Sequence, residues 1–379
     1  MKSINIPKLK IGNLETKIPI IQGGMGVGIS LSSLASAVAN EGGIGVIATV
    51  GIGMLEKDFY TDFLQAEERA LRREIRKARK LSNGIIGANI MVALTHFDRI
   101  VKTVVEEKVD IVFLSAGLPL TVPLTMTLKK LIESNIKVVP KVSSARAGNI
   151  IFKRWDERFN YIPDGLVIEG PLSGGHQGFK KEQLNNPDYA LENLLPQALE
   201  MVKFWEDKYG KKIPVIAAGG IFTGNDIYKF MKMGASGVKM GTRFVATYEC
   251  DADEKFKQAY INCKKEDIVI IDSPVGIPAR VIRNKFIDDV NKGIKKPFKC
   301  PLRCLRTCKY PETPYCIAYA LTNAKLGHLE NGFAFIGAKG YRIKEITTVK
   351  KLINDLMTEY KEAAEESELQ KGEDKVNIA

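Results

Sequence analysis

The stretch PVIAAGGIFTGNDIYKFMKMGASGVKMGTRF, residues 214–244, decides the fold. It opens on an apolar run, turns through a glycine pair and continues into a helix-like segment, GNDIYKFMKMGA. That segment ends at a glycine, and a second apolar run, GVKMGT, follows. Both runs are nearly continuous in apolar residues, the pattern of parallel strands covered on both faces. The unit is therefore strand, crossover helix, strand.

The same unit recurs upstream. Short runs bounded by glycine or proline appear as IPIIQG from Ile18, IGVIAT from Ile44, IIGANI from Ile85 and IVFLSA from Ile111. KVVPKV from Lys137 and GLVIEG from Gly165 complete the series. Helix-like segments lie between them, several closing on Gly or Asn as helix stops. Eight strands alternating with helices over about 230 residues match an α/β fold of the (β/α)8 TIM-barrel type. An open doubly wound sheet is the alternative, since periodicity alone does not prove closure.

The alternation stops after Phe244, so we expect a barrel over residues 1–249 and a smaller cap over 250–345. A C-terminal helix and tail follow over 346–379, beginning with the helical pattern EITTVKKLINDLMTEYKEAAEESELQ.

Composition bounds the function classes. The chain has 379 residues and 45% hydrophobic content, ordinary for a globular protein. No apolar run approaches the roughly 20 residues of a membrane helix, and MKSINIPKLKIGN lacks the apolar core of a signal peptide, so a cytoplasmic protein is expected. The net charge of +12 falls mainly in RREIRKARK (72–80) and KKPFKCPLRCLRTCK (295–309). The first reads as a solvated helix face, so no nucleic-acid partner is expected; a positive field still suits an anionic substrate or carrier. Six cysteines in a chain of this size make no disulfide scaffold.

In such a barrel the chemistry lies at the C-terminal ends of the strands. Reading the residues there gives Gln22, Gly23 and Gly24 after the first strand, Thr49 after the second and Asn89 in the third. Ser115 and Gly117 follow the fourth, Lys141 is in the fifth, and Glu169 leads out of the sixth. The seventh ends in Gly219 and Gly220, before a helix start whose backbone N–H groups favour an anion, and the eighth in Gly241 and Thr242. Loops after strands seven and eight are where phosphate-binding barrels hold a phosphate. The reading of two ordinary tight turns stays open. Lys141 either neutralises charge on a bound ring or is a rim lysine. QGGMGVGIS lacks the spacing of a dinucleotide fingerprint.

The loop EGPLSGGHQGF places His176 behind Gly174 and Gly175, glycines that leave room beside a flat ligand. A histidine whose ordinary pKa is about 6.5 can take or give a proton at neutral pH. His96, in VALTHFDRI, faces the site or starts a helix, and His328 reads as a surface turn. CPLRCLRTCKYPETPYC spaces Cys300, Cys304, Cys308 and Cys316 as C-x3-C-x3-C-x7-C. Were the segment helical, the first three thiols would share a face and could join Cys316 around zinc or an iron–sulfur cluster. Pro301 and the later prolines argue against a continuous helix, and small buried thiols are the plain alternative.

Taken in order, IPIIQGGM, GANIM, VVPKVSS, EGPLSGGHQGF, PVIAAGGI and GVKMGTRF resemble the nitronate monooxygenase family, over roughly residues 15–250. They also resemble the related flavin-dependent enoyl-acyl-carrier-protein reductase II. The resemblance implies FMN, its phosphate held at Gly219, Gly220, Gly241 and Thr242. Gln22, Gly23, Gly24, Met25, Asn89 and Lys141 match positions near the flavin ring or ribityl chain, and His176 matches the histidine over its reactive face. The resemblance implies oxidation of alkyl nitronates using FMN and O2, or else NAD(P)H-dependent enoyl reduction on an acyl carrier protein, which a basic cap suits; the cysteine cluster adds a third function, a flavin and iron–sulfur redox sensor or electron carrier. A homodimer is left open.

Overall fold

The eight apolar runs become eight parallel strands in a computed structural model, which describes residues 4–376 apart from Thr121, Pro297, Pro301 and Pro311. They are β1 (Ile20–Gln22), β2 (Ile44–Ala48), β3 (Ile85–Met91), β4 (Ile111–Ser115), β5 (Lys137–Val142), β6 (Leu166–Glu169), β7 (Val215–Ala218) and β8 (Gly237–Met240). β7 pairs with β8 on one side and β6 on the other, and β8 pairs with β1. The sheet is thus a closed barrel, and the open-sheet alternative falls.

Alternate residues of each strand enter different cores. Ile21, Val46, Phe113, Val139, Val167 and Ile216 fill the interior together with Leu9 and Ile11. Those last two come from the hairpin of Lys10–Ile11 with Leu14–Glu15, and Leu9 lies against Gly237, where β8 begins. The hairpin therefore plugs the N-terminal end of the barrel. Ile20, Ile47, Val112, Val138, Ile168 and Val238 face outward into the larger core beneath the helices.

The basic helix Phe63–Leu81 meets its charges within the molecule. Arg72 pairs with Glu106 and Glu107, Arg76 with Glu107 at 2.7 Å, Arg73 with Glu56 at 2.5 Å and Arg79 with Asp110 at 2.8 Å. Exposed pairs of this kind contribute little each, about 0–1 kcal/mol. Their consequence is that this face presents balanced charge rather than a bare basic stripe.

After the short helix Thr242–Val245 the chain leaves the barrel. Strands Ile268–Asp272 and Pro278–Ile282 form an antiparallel pair, and a third strand, Gly175–His176, joins it from the loop after β6. Ile271, Val281, Phe286, Tyr315, Ile317 and Phe333 give this cap its own small core. The chain then returns as the helix Val349–Val376. It packs so closely on the helix Gly224–Lys232 that a Cβ at Gly224 would stand 2.2 Å from Leu356 O.

Candidate active site

A cleft of about 220 Å³ opens at the C-terminal end of the barrel, between its rim and the cap. Gly23, Gly24, Met25, Asn89, Lys141, Glu169, Gly174, Gly175, Gly219, Gly220, Gly241 and Thr242 all line it, with Ser115. The glycines are required by close packing. Gly219 and Gly220 hold φ of +91° and +84°, a region that disfavours side chains, and a Cβ at Gly219 would lie 2.5 Å from Gly170 O. At Gly24 it would lie 2.3 Å from Asn89 Cβ, and at Gly241 3.3 Å from Met25 Sδ. Three loops thus meet with bare backbone toward the cleft.

Gln22 does not line it. Its Oε1 accepts from Val46 N at 2.9 Å and its Nε2 donates to Gly23 O, so it ties β1 to β2 and orients the loop that follows. The helix start after β7 also differs from expectation. Thr223 and Asp226 form a capping box, Asp226 accepts from Phe222 N and Thr223 N, and Glu359 accepts from Gly224 N at 2.6 Å. The first helical turn is therefore already capped, by a residue of the C-terminal helix among others. Lys339 pairs with Asp226 at 3.0 Å and lines the cleft beside these loops.

The floor is polar. Asn89 Nδ2 donates to Ser115 Oγ at 3.0 Å, and Lys141 Nζ meets Glu169 Oε2 at 2.6 Å. A third charged group stands there, Lys239, which the sequence reading missed inside GVKMGT. It is 8% exposed, and burial together with the charge of Lys141 pushes its ammonium down to about 7, with Glu169 opposing. The available signal was an ionisable residue at an inward-facing position of a strand.

His176 lies outside the cleft's lining and packs edge-on against Phe335, which does line it, with ring centroids 5.1 Å apart. It sits on a strand rather than in an open loop, opposite Ala279. Its Nε2 is 2.7 Å from Ser273 Oγ, in the hairpin turn of the cap. Burial, with a smaller contribution from Lys141, pushes its pKa down to about 4. The imidazole is thus neutral at pH 7, where the sequence pointed to its ordinary value near 6.5. Arg280, buried, donates through Nη1 to Pro171 O and Ser173 O, each at 2.6 Å. Gln177 Nε2 donates to Ser173 O and Gly175 O at 2.9 Å. Ser273, Arg280 and Gln177 hold the loop, and nothing near them in sequence advertised it.

The remaining candidates lie elsewhere. Thr49 Oγ1 donates to Asn89 O at 3.0 Å, and Gly117 takes φ +131° beside Val92. His96 precedes the helix Phe97–Glu106, buried edge-on against Phe63, and burial pushes it down to about 4. His328 is exposed, 3.6 Å from Glu330. Cys300, Cys304, Cys308 and Cys316 are free thiols. The described residues among 298–316 form no helix, and the next one starts at Ile317, directly after Cys316; Pro301 lies outside the described residues. Burial raises Cys308 and Cys316 and pushes Cys304 up to about 12. Among the described residues no group of three or more His, Cys, Asp or Glu is arranged to hold a metal ion. Cys300, Cys304 and Cys308 share no helical face, and the expectation of zinc or an iron–sulfur cluster has no structural support among the described residues. Nor is any helix among the described residues long and apolar enough to cross a membrane.

The nitronate monooxygenase family model matches residues 8–359, most of the chain and all of the cleft. The chain belongs to the nitronate monooxygenase family. It is an oxidoreductase of that family, and a probable nitronate monooxygenase of Staphylococcus aureus is 29% identical to it over 315 residues, 74% of this chain and 79% of that one. Among solved structures, FabK from Thermotoga maritima superposes with a TM-score of 0.70 at 29% identity, covering 93% of this chain and 96% of its own. A nitroalkane oxidase from Streptomyces ansochromogenes, at 20% identity and a TM-score of 0.68, covers 92% and 97% and shares the fold.

Proposed function

We propose that this family member binds FMN in the cleft and uses it with O2 to oxidise alkyl nitronates. The observation that carries the reading is the meeting of Gly23–Gly24, Gly219–Gly220 and Gly241–Thr242 over a polar barrel floor. A flat ring needs backbone it can approach without a Cβ, and a phosphate needs backbone N–H groups and a hydroxyl. Gly219, Gly220, Gly241 and Thr242 suit the phosphate; Gly23, Gly24, Met25, Asn89 and Lys141 suit the ring and ribityl chain. Glu169 holds Lys141 in place, and Gly174 and Gly175 leave room on the cap side.

Bound there, FMN would take electrons from the substrate and pass them to O2, chemistry that belongs to the cofactor. The chain's own part is positioning, exclusion of water and one proton-accepting group. Leu172, Val245 and Phe335 give the cleft apolar walls. His176 is neutral, and in the tautomer whose Nε2–H donates to Ser273 its Nδ1 lone pair is free. That nitrogen orients a nitronate, or accepts the α-proton when the neutral nitroalkane is the substrate.

The test is anaerobic mixing of the purified protein, by turns with propionate 3-nitronate and with NADH, while flavin absorbance is followed. Bleaching by nitronate alone is expected. Rapid bleaching by NADH alone overturns the reading and favours the second one, enoyl thioester reduction on an acyl carrier protein. The likeness to FabK along 93% of the chain is what favours that alternative.

A further inference from the structure

We infer that Lys239 is the group that charges the floor of the cleft, an ammonium set inside the barrel to stabilise negative charge on a ring bound above it. The inference rests on the FMN reading, because the ring in question is one that gains negative charge on reduction.

Lys239 lines the cleft from β8, and nine-tenths of it is buried. Lysines in folded proteins either run their charge out to water or pair it with a carboxylate. Lys239 does neither. Its Nζ stands 4.3 Å from the centre of the Phe113 ring, and its acceptor is Asn89 Oδ1 at 3.5 Å, the outer limit of a hydrogen bond. The amide of that same asparagine is already committed to Ser115. The nearest carboxylate, Glu169, is taken by Lys141 at 2.6 Å. The charged groups facing the floor are therefore Lys141 from β5, Glu169 from β6 and Lys239 from β8, with His176 neutral beside them. Of these, Lys239 is the cation without a carboxylate partner, and it is 8% exposed. A buried cation with a spare donor fan is costly unless something answers it, and the open side of Lys239 is the cleft. The ready loss of its proton near pH 7 agrees with an ammonium that lacks its partner.

A ligand whose ring becomes anionic only when reduced binds such a floor more tightly in its reduced form. Differential affinity of that kind is what moves an equilibrium. Lys239 therefore raises the reduction potential of the bound flavin.

The experiment compares the purified holoprotein with Lys239→Met, which keeps an unbranched apolar stem and removes the ammonium, and with Lys239→Arg, which keeps the charge. Reconstituted with FMN, each is titrated spectroelectrochemically, and the apoproteins are melted in parallel at pH 7. Lys239→Met is expected to melt no lower than wild type, since it loses a buried charge. Its reduced-to-oxidised FMN affinity ratio should fall at least tenfold, about 30 mV for a two-electron couple. Lys239→Arg should stay close to wild type. An unchanged midpoint in Lys239→Met overturns the inference, as does equal loss of oxidised and reduced FMN. A wild-type protein that takes up no FMN overturns the cofactor reading and this inference with it.

Discussion

In the barrel, residues reach the cleft because strand register carries them there. Asn89, Lys141, Glu169 and Lys239 come from β3, β5, β6 and β8, whose inner faces are packed by Phe113, Val139 and Val167 below them. In the cap, residues reach the same cleft through contacts made far along the chain: Ser273 to His176, Arg280 to Pro171 and Ser173, Phe335 to His176. The barrel rim shapes a cradle, and the cap holds His176 behind its wall, edge-on against Phe335. Damage to the two should separate, with variants of the barrel's rim glycines losing the cofactor and cap variants losing turnover while keeping it.

The largest effect is expected in the barrel. Gly220→Val puts a side chain at φ +84°, with a Cβ 2.8 Å from that of Leu172, and the backbone strain alone costs on the order of 1–3 kcal/mol. The variant should emerge from gel filtration without FMN, and normal flavin content would break the contrast. In the cap, Ser273→Ala removes the partner of His176 Nε2, a net loss of about 1 kcal/mol that corresponds to roughly a fivefold fall in turnover. Flavin content should be unchanged, so loss of flavin would erase the distinction between the regions. The smallest effect is in pH. His176 has a folded pKa near 4 against an ordinary value near 6.5, so the unfolded chain binds more protons between the two. Its contribution to stability is therefore present above about 6.5 and lost as pH falls toward 4. The profile of kcat/KM from this base should stay flat from about pH 5.5 to 7.5, and a break near 6.5 that disappears in His176→Gln would contradict the burial argument.

The same contrast explains what could be read in advance. The barrel was legible because each of its strands is covered on both faces and so spells a continuous apolar run, and because tight strand ends demand glycine. Lys239 escaped because the run GVKMGT reads as apolar around it. Gly175–His176 could not be seen as a strand, since two residues carry no period and their partners, Ala279 and Arg280, lie about a hundred residues on. The pKa of His176 depends on burial and on Lys141, neither of which is local. The helix after β7 looked open to an anion because Glu359, which caps it, comes from the other end of the chain. The cysteine spacing suggested one helical face, yet Cys304 instead turns its carbonyl to Thr95 N at 3.0 Å in irregular chain.

The central claim is that the barrel holds FMN and the cap's His176 serves the substrate on it. Anaerobic stopped-flow reduction of FMN-loaded His176→Ala by propionate 3-nitronate tests it most directly. The account predicts unchanged flavin affinity with reduction slowed about a hundredfold, the scale on which losing the group that orients a reactant acts. Reduction at the wild-type rate would remove His176 from the chemistry and contradict the division of labour between barrel and cap.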